Sequence, residues 1–125
     1  MTAGEAVAAA ARATVGVRFR PQGRDPALGL DCVGVVAVAL GGVDLPRDYR
    51  LWCGRVPDGG VPPGMAACDG ARPGDVLLCR VSPAQLHLIV RTATGFVHAD
   101  AGARRVVERP GEVPWSVVAA WRKEG

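Results

Sequence analysis

Gly29-Leu30-Asp31-Cys32-Val33-Gly34-Val35-Val36-Ala37-Val38-Ala39-Leu40 decides the reading of this chain. The stretch opens on a turn signal and sets a helix-capping carboxylate before a cysteine. It then runs on through small and apolar residues, enough for about three turns of buried helix. With Asp31 as N-cap, Cys32 falls in the first turn. A thiol there faces the positive end of the helix dipole and backbone N–H groups that lack partners. Both favour thiolate over thiol, and the same N–H groups can hold an oxyanion. A free cysteine in an apolar run is also commonly a small inert core residue, so the choice rests on the rest of the chain.

The 125 residues are 49% hydrophobic and 22% charged. Those figures fit one domain over 1–125 whose core needs no covalent staples. The net charge of +3 is spread without a Lys/Arg run, and the few aromatics form no stacking platform, so a nucleic-acid partner is not expected. Cysteines stand at 32, 53, 68 and 79 without CxxC spacing, which argues against a zinc ribbon. The even count permits disulfides, but mostly free thiols are expected, since the chain lacks the look of a small secreted scaffold. No segment reads as membrane-inserting. The N-terminus carries Glu5 and no basic residues ahead of its alanines, so it does not read as a signal peptide. The expectation is synthesis in the cytoplasm, with another route to any target outside the cell.

Thr2-Ala3-Gly4-Glu5 is a capping box, and a helix over about 2–15 ending at Gly16 follows from it. Residues 17–30 read as a long Pro-, Gly- and Arg-rich loop with a binding role. The helix opened by Cys32 stops at Gly41-Gly42. Leu45-Pro46-Arg47-Asp48-Tyr49 is extended or turn-like, and a short helix near 64–69 is expected within the irregular stretch 50–70. Arg72-Pro73-Gly74-Asp75 is a turn. Strands are predicted at 76–79, 86–90, 95–99, 105–108 and 117–121. Helices first and strands second make an α+β chain, its helices packed on one face of an antiparallel sheet of about five strands.

The chain's two histidines fall on adjacent predicted strands. Alternation puts His87, Ile89 and Arg91 on one face and Leu86, Leu88 and Val90 on the other. A loop of two or four residues around Thr92-Ala93-Thr94-Gly95 sets residue 89 opposite 98. His87 and His98 then share a face as diagonal neighbours, about 7–8 Å apart at the backbone. A three-residue loop separates them. One imidazole can take the thiol proton while the other holds its tautomer and orientation. Two unrelated strand histidines are the plain alternative.

Taken together, the chain resembles the NlpC-type cell-wall cysteine peptidases, a bacterial and phage branch of the papain-like fold. The resemblance rests on Gly16-Val17-Arg18-Phe19, Asp31-Cys32-Val33-Gly34, Leu45-Pro46-Arg47, Pro73-Gly74-Asp75, Leu86-His87-Leu88 and Val97-His98-Ala99, in that order. It implies Cys32 as nucleophile, His87 as base and His98 as the orienting third member. Asp31 would position the substrate's amino end, and Phe19 would lie near the oxyanion position. The implied substrate is a peptidoglycan stem peptide, cut between D-glutamate and the following diamino acid without metal or cofactor. Two residues depart from the family pattern. Val33 replaces a serine, and Phe19 replaces a tyrosine and so removes a phenol. The short form is similar to versions carried by phage tails and gene transfer agents, implying phage-like tail proteins as partners and a particle as the carrier. An amidase or acyltransferase on the same fold, an inactive tail-tip component and a Cys/His zinc module are the rivals. The Cys–His pair further implies that Cys32 alkylates rapidly at pH 6.

Overall fold

The computed structural model describes residues 1–43, 45 and 64–124. Helix α1 (Ala3–Arg12) starts at the capping box: Glu5 N–H donates to Thr2 Oγ1 at 3.0 Å, and Thr2 N–H donates to Glu5 Oε1 at 3.3 Å. It ends a turn earlier than expected, and Gly16 closes the following turns at φ +94°. The predicted loop contains two short strands, β1 (Arg24–Asp25) and β2 (Gly29–Leu30), paired antiparallel. Helix α2 (Cys32–Ala39) follows, and Gly41 and Gly42, both at positive φ, end it. It is apolar all round because α1 packs on one side of it and the sheet on the other.

The main sheet has six antiparallel strands in the order β3-β8-β4-β5-β6-β7: β3 (Met65–Ala67), β4 (Val76–Ser82), β5 (Gln85–Arg91), β6 (Gly95–Asp100), β7 (Arg105–Pro110) and β8 (Ser116–Lys123). The sixth strand, β3, replaces the short helix expected near 64–69. Met65-Ala66-Ala67 has no strand preference of its own, but pairing with Lys123, Arg122 and Trp121 overrides local propensity. Residues 46–63, including Pro46, Arg47 and Cys53, lie outside the described residues. Among the described residues no helix is long and apolar enough to cross a membrane.

Alternation along the strands makes two cores. Val76, Leu78, Leu86, Val90, Val97, Ala99 and Val106 face the helices. Leu77, Cys79, Ile89, Phe96 and Ala120 face away and are covered by Val113, Trp115 and Cys68. The turn before β4 is held by Asp75, which is fully buried. Arg122 donates to it through Nε and Nη2, each at 2.8 Å, and the Arg72 N–H donates at 3.0 Å. Gly74 there sits at φ +90°, so close to α1 that a Cβ would lie 2.0 Å from the Gly4 carbonyl oxygen.

Candidate active site

The start of α2 is built by Asp31. Its Oδ1 accepts from Gly34 N–H at 2.9 Å and from Arg24 Nη1 at 3.0 Å, and its Oδ2 accepts from Gln22 N–H at 2.8 Å. The buried carboxylate therefore caps the helix and clamps the 22–24 loop onto it. Gly34 permits the approach, since a Cβ there would meet the Gly23 carbonyl oxygen at 2.1 Å. Cys32 is the first residue of the helix, packed against the core on the helix side.

The two histidines come together. β5 and β6 pair Val90 with Val97 and Arg91 with Phe96, the register a four-residue connection requires. The ladder goes no further, and the strands part toward His87 and His98. His87 Nε2 and His98 Nδ1 lie 2.9 Å apart, within hydrogen-bond distance, across the gap. For His87 to accept a proton at Nδ1, its Nε2 must carry hydrogen and donate to His98 Nδ1. His98 is only 4% exposed, and its Nε2 is buried without a partner.

A cavity of about 450 Å³ opens where the strands part. Asp31 and Cys32 line it from the helix, Phe19 and Gln22 from the preceding loop, and His87, His98 and Asp100 from the sheet. All five residues singled out from sequence share this one wall. No hydrogen bond joins Cys32 to His87 in this structure; they meet through the cavity.

Trp115 was not singled out from sequence. It lies edge-on to His87 at 5.6 Å and 88°, and packs on His98 at 5.5 Å and on Phe96 at 5.8 Å between ring centroids. Alternation counted back from Trp121 puts Trp115 on the helix face. A bulge intervenes, however: Leu78 pairs with Ala119 and Cys79 with Val117, so the skipped residue flips Trp115 to the histidine face.

Burial sets the protonation states. It pushes the Cys32 thiol up to about 11, outweighing the Leu88 and Val33 backbone N–H groups that favour thiolate. Burial, then the neighbouring His98, brings His87 down to about 4. Burial lowers His98 too, against the pull of Asp100. Both shifts run against the expected thiolate–imidazolium pair and toward a neutral thiol and a neutral imidazole, with desolvation the largest cause of each. Cys32, Cys68 and Cys79 are free thiols.

His87 makes stability pH-dependent. Its folded pKa lies below its unfolded value of about 6.5, so the unfolded chain binds the proton first as pH falls. Stability is expected to drop by about 2 kcal/mol between pH 6.5 and 4. Urea midpoints across that range should show it, and His87→Ala should flatten the slope.

No protein-family profile matches the chain, and no curated protein matches it. Among solved structures, the chain is similar to NlpC1 from Trichomonas vaginalis at TM-score 0.66 and 20% identity, over 96% of this chain and 45% of that one. The NlpC/p60 domain of the peptidoglycan hydrolase SagA superposes at 0.60 with 24% identity, covering 94% of this chain and 96% of that one. The P60 domain from M. avium subspecies paratuberculosis antigen MAP1204 superposes at 0.58 with 20% identity, covering 97% and 93%. Two helices on an antiparallel six-stranded sheet thus give this chain the NlpC/p60-like fold.

Proposed function

We propose that the chain is a cysteine peptidase acting on peptidoglycan stem peptides, at the bond between D-glutamate and the following diamino acid. The observation that carries this reading is one cavity holding Cys32 at a capped helix start and a hydrogen-bonded His87–His98 pair. The NlpC/p60-like fold, shared with a domain of a peptidoglycan hydrolase, supports the substrate class.

Cys32 Sγ attacks the amide carbonyl as its proton passes to His87 Nδ1, forming the S–C bond and moving the carbonyl π electrons onto oxygen. Collapse of that oxyanion breaks the C–N bond, and His87 returns the proton to the leaving amine. Water then attacks the thioester as His87 takes its proton; the S–C bond breaks, the acid product leaves, and His87 returns the proton to Cys32 Sγ. His98 holds the His87 ring throughout.

The test is digestion of purified peptidoglycan, with fragments identified by mass spectrometry. New amino termini on the diamino acid, absent with Cys32→Ala, are expected. Intact stem peptides freed from glycan would make it an amidase, new amide links an acyltransferase, and an unchanged digest an inactive component. The same reading extends to delivery on a phage-like tail, checked by whether the chain co-purifies with tail particles.

A further inference from the structure

Residues 16–19 run antiparallel along the outer edge of β7. Arg18 stands directly opposite Arg105, and Phe19 N–H donates to the Arg104 carbonyl at 2.9 Å. Val17 and Val106 turn inward to the core, so Arg18 and Arg105 share the other face, and Arg20 joins them by alternation. Gly29 leaves room for two of these stems: a Cβ there would meet Arg20 Cβ at 2.6 Å and Arg18 Cγ at 3.1 Å. All three arginines are exposed, and among the described residues none of them has a carboxylate partner. Arg105 Nε reaches only the Ala103 carbonyl, at 3.5 Å. Like charges directly opposite on paired strands are destabilising, so the Arg18–Arg105 pair costs the free protein stability.

We propose that Arg18, Arg20 and Arg105 form a binding face for the carboxylates of an acidic peptide whose scissile amide lies at Cys32. The inference deepens the peptidase reading and rests on the cavity as a stem-peptide site. The face is continuous with that cavity. Asp100 and Phe19 both line it; Asp100 is the register partner of Arg105, and Phe19 stands between Arg18 and Arg20 in the chain. Asp100, Arg105 and Arg18 therefore form a row across three neighbouring segments, which at about 4.8 Å per step puts Arg18 about 10 Å from the cavity wall at the backbone. An extended peptide covers that distance in about three residues. Asp100 does not cancel the row's charge, since it already accepts from Gly102 N–H at 2.9 Å and from Arg109 Nη2 at 3.3 Å. The proposed substrate has the matching chemistry. D-Glutamate uses one of its two carboxyls in the bond to the diamino acid and keeps the other, and the last residue of the stem ends in a further one. Guanidinium groups take carboxylates through paired N–H donors, and a bound carboxylate offsets the repulsion between Arg18 and Arg105.

The experiment changes Arg18, Arg20 and Arg105 to Gln, singly and together. Arg72→Gln with Lys123→Gln is the control, removing positive charge at the end of β4 away from the cavity. It measures kcat and KM on a stem peptide with free carboxylates and on the same peptide with its carboxylates amidated. In a Cys32→Ala background it measures Kd for both peptides at low and at high salt. Each single variant should raise KM and Kd for the free-acid peptide about threefold and the triple variant about 30-fold, with the loss in KM rather than kcat. Salt should weaken binding to wild type far more than to the triple variant. The amidated peptide should bind wild type as weakly as the triple variant binds the free acid. Unchanged affinity in the triple variant overturns the proposal. So does an equal loss in the control pair, which makes the effect one of net charge, or a loss that persists with the amidated peptide. If wild type leaves the stem peptide uncut while Cys32→Ala binds it in an arginine-dependent way, the peptidase reading falls and this assignment stands. Cleavage without arginine dependence reverses that outcome. If the chain neither cuts nor binds the peptide, both fall.

Discussion

Cys32→Ala and His87→Ala should each reduce turnover to background, a loss of at least about 10⁴ in kcat/KM, because nucleophile and base act as one unit. Neither substitution should unfold the chain. Alanine suits the first turn of α2, and Asp31 still caps the helix through Gly34 N–H. His98→Ala should cost less, about 10²-fold, since His87 keeps its place in the cavity wall and loses only the 2.9 Å contact that orients it. His98→Gln, which can restore a hydrogen bond to His87 Nε2, should recover part of that loss. Circular dichroism controls for folding, because His98 is buried against Phe96 and Trp115. Full activity in Cys32→Ala, or His98→Ala as inactive as His87→Ala with its fold intact, would overturn the division of roles.

Local chemistry made much of this architecture legible. The Thr2–Glu5 box and the Asp31 cap were readable because capping needs specific side chains at specific spacings, and both helices begin where those residues stand. The His87–His98 meeting was readable only as a condition, since a loop of two or four residues joins the two and one of three separates them; the pairing of Arg91 with Phe96 meets that condition. The rest depends on contacts distant in sequence. β3 exists because β8 offers it a ladder, and Trp115 faces the histidines because of a bulge opposite Leu78 and Cys79. Neither leaves a periodic trace. Gln22 and Arg24 gain their positions from a carboxylate seven to nine residues on, across a strained loop. The protonation states were the least legible of all. The sequence displays a helix start and a histidine, whereas desolvation appears only once the cavity walls have assembled.

That last difference has a direct measure in the alkylation of Cys32 against pH. With its thiol pushed up to about 11, the thiolate fraction at pH 7 is about 100-fold below that of an ordinary cysteine. The greater nucleophilicity of a more basic thiolate restores about tenfold of this, leaving the rate near neutrality about tenfold slow. The rate should climb in proportion to hydroxide through pH 10, without a plateau. A resting ion pair gives the opposite profile, already flat at pH 6. His87→Ala separates the two by sign. In the neutral pair the ring contributes burial, so removing it admits water and shifts the Cys32 profile to lower pH. In an ion pair the ring contributes positive charge, and removing it shifts the profile upward. Cys68, raised by burial beside Asp75 and Arg122 rather than beside His87, is the internal control and should not move. Peptide mass spectrometry resolves the thiols individually. A wild-type plateau below pH 7 that His87→Ala abolishes would establish the charged pair and overturn the neutral one. In catalysis the neutral pair predicts an acid limb of kcat/KM near pH 4, where His87 takes up its proton and can no longer accept one from Cys32.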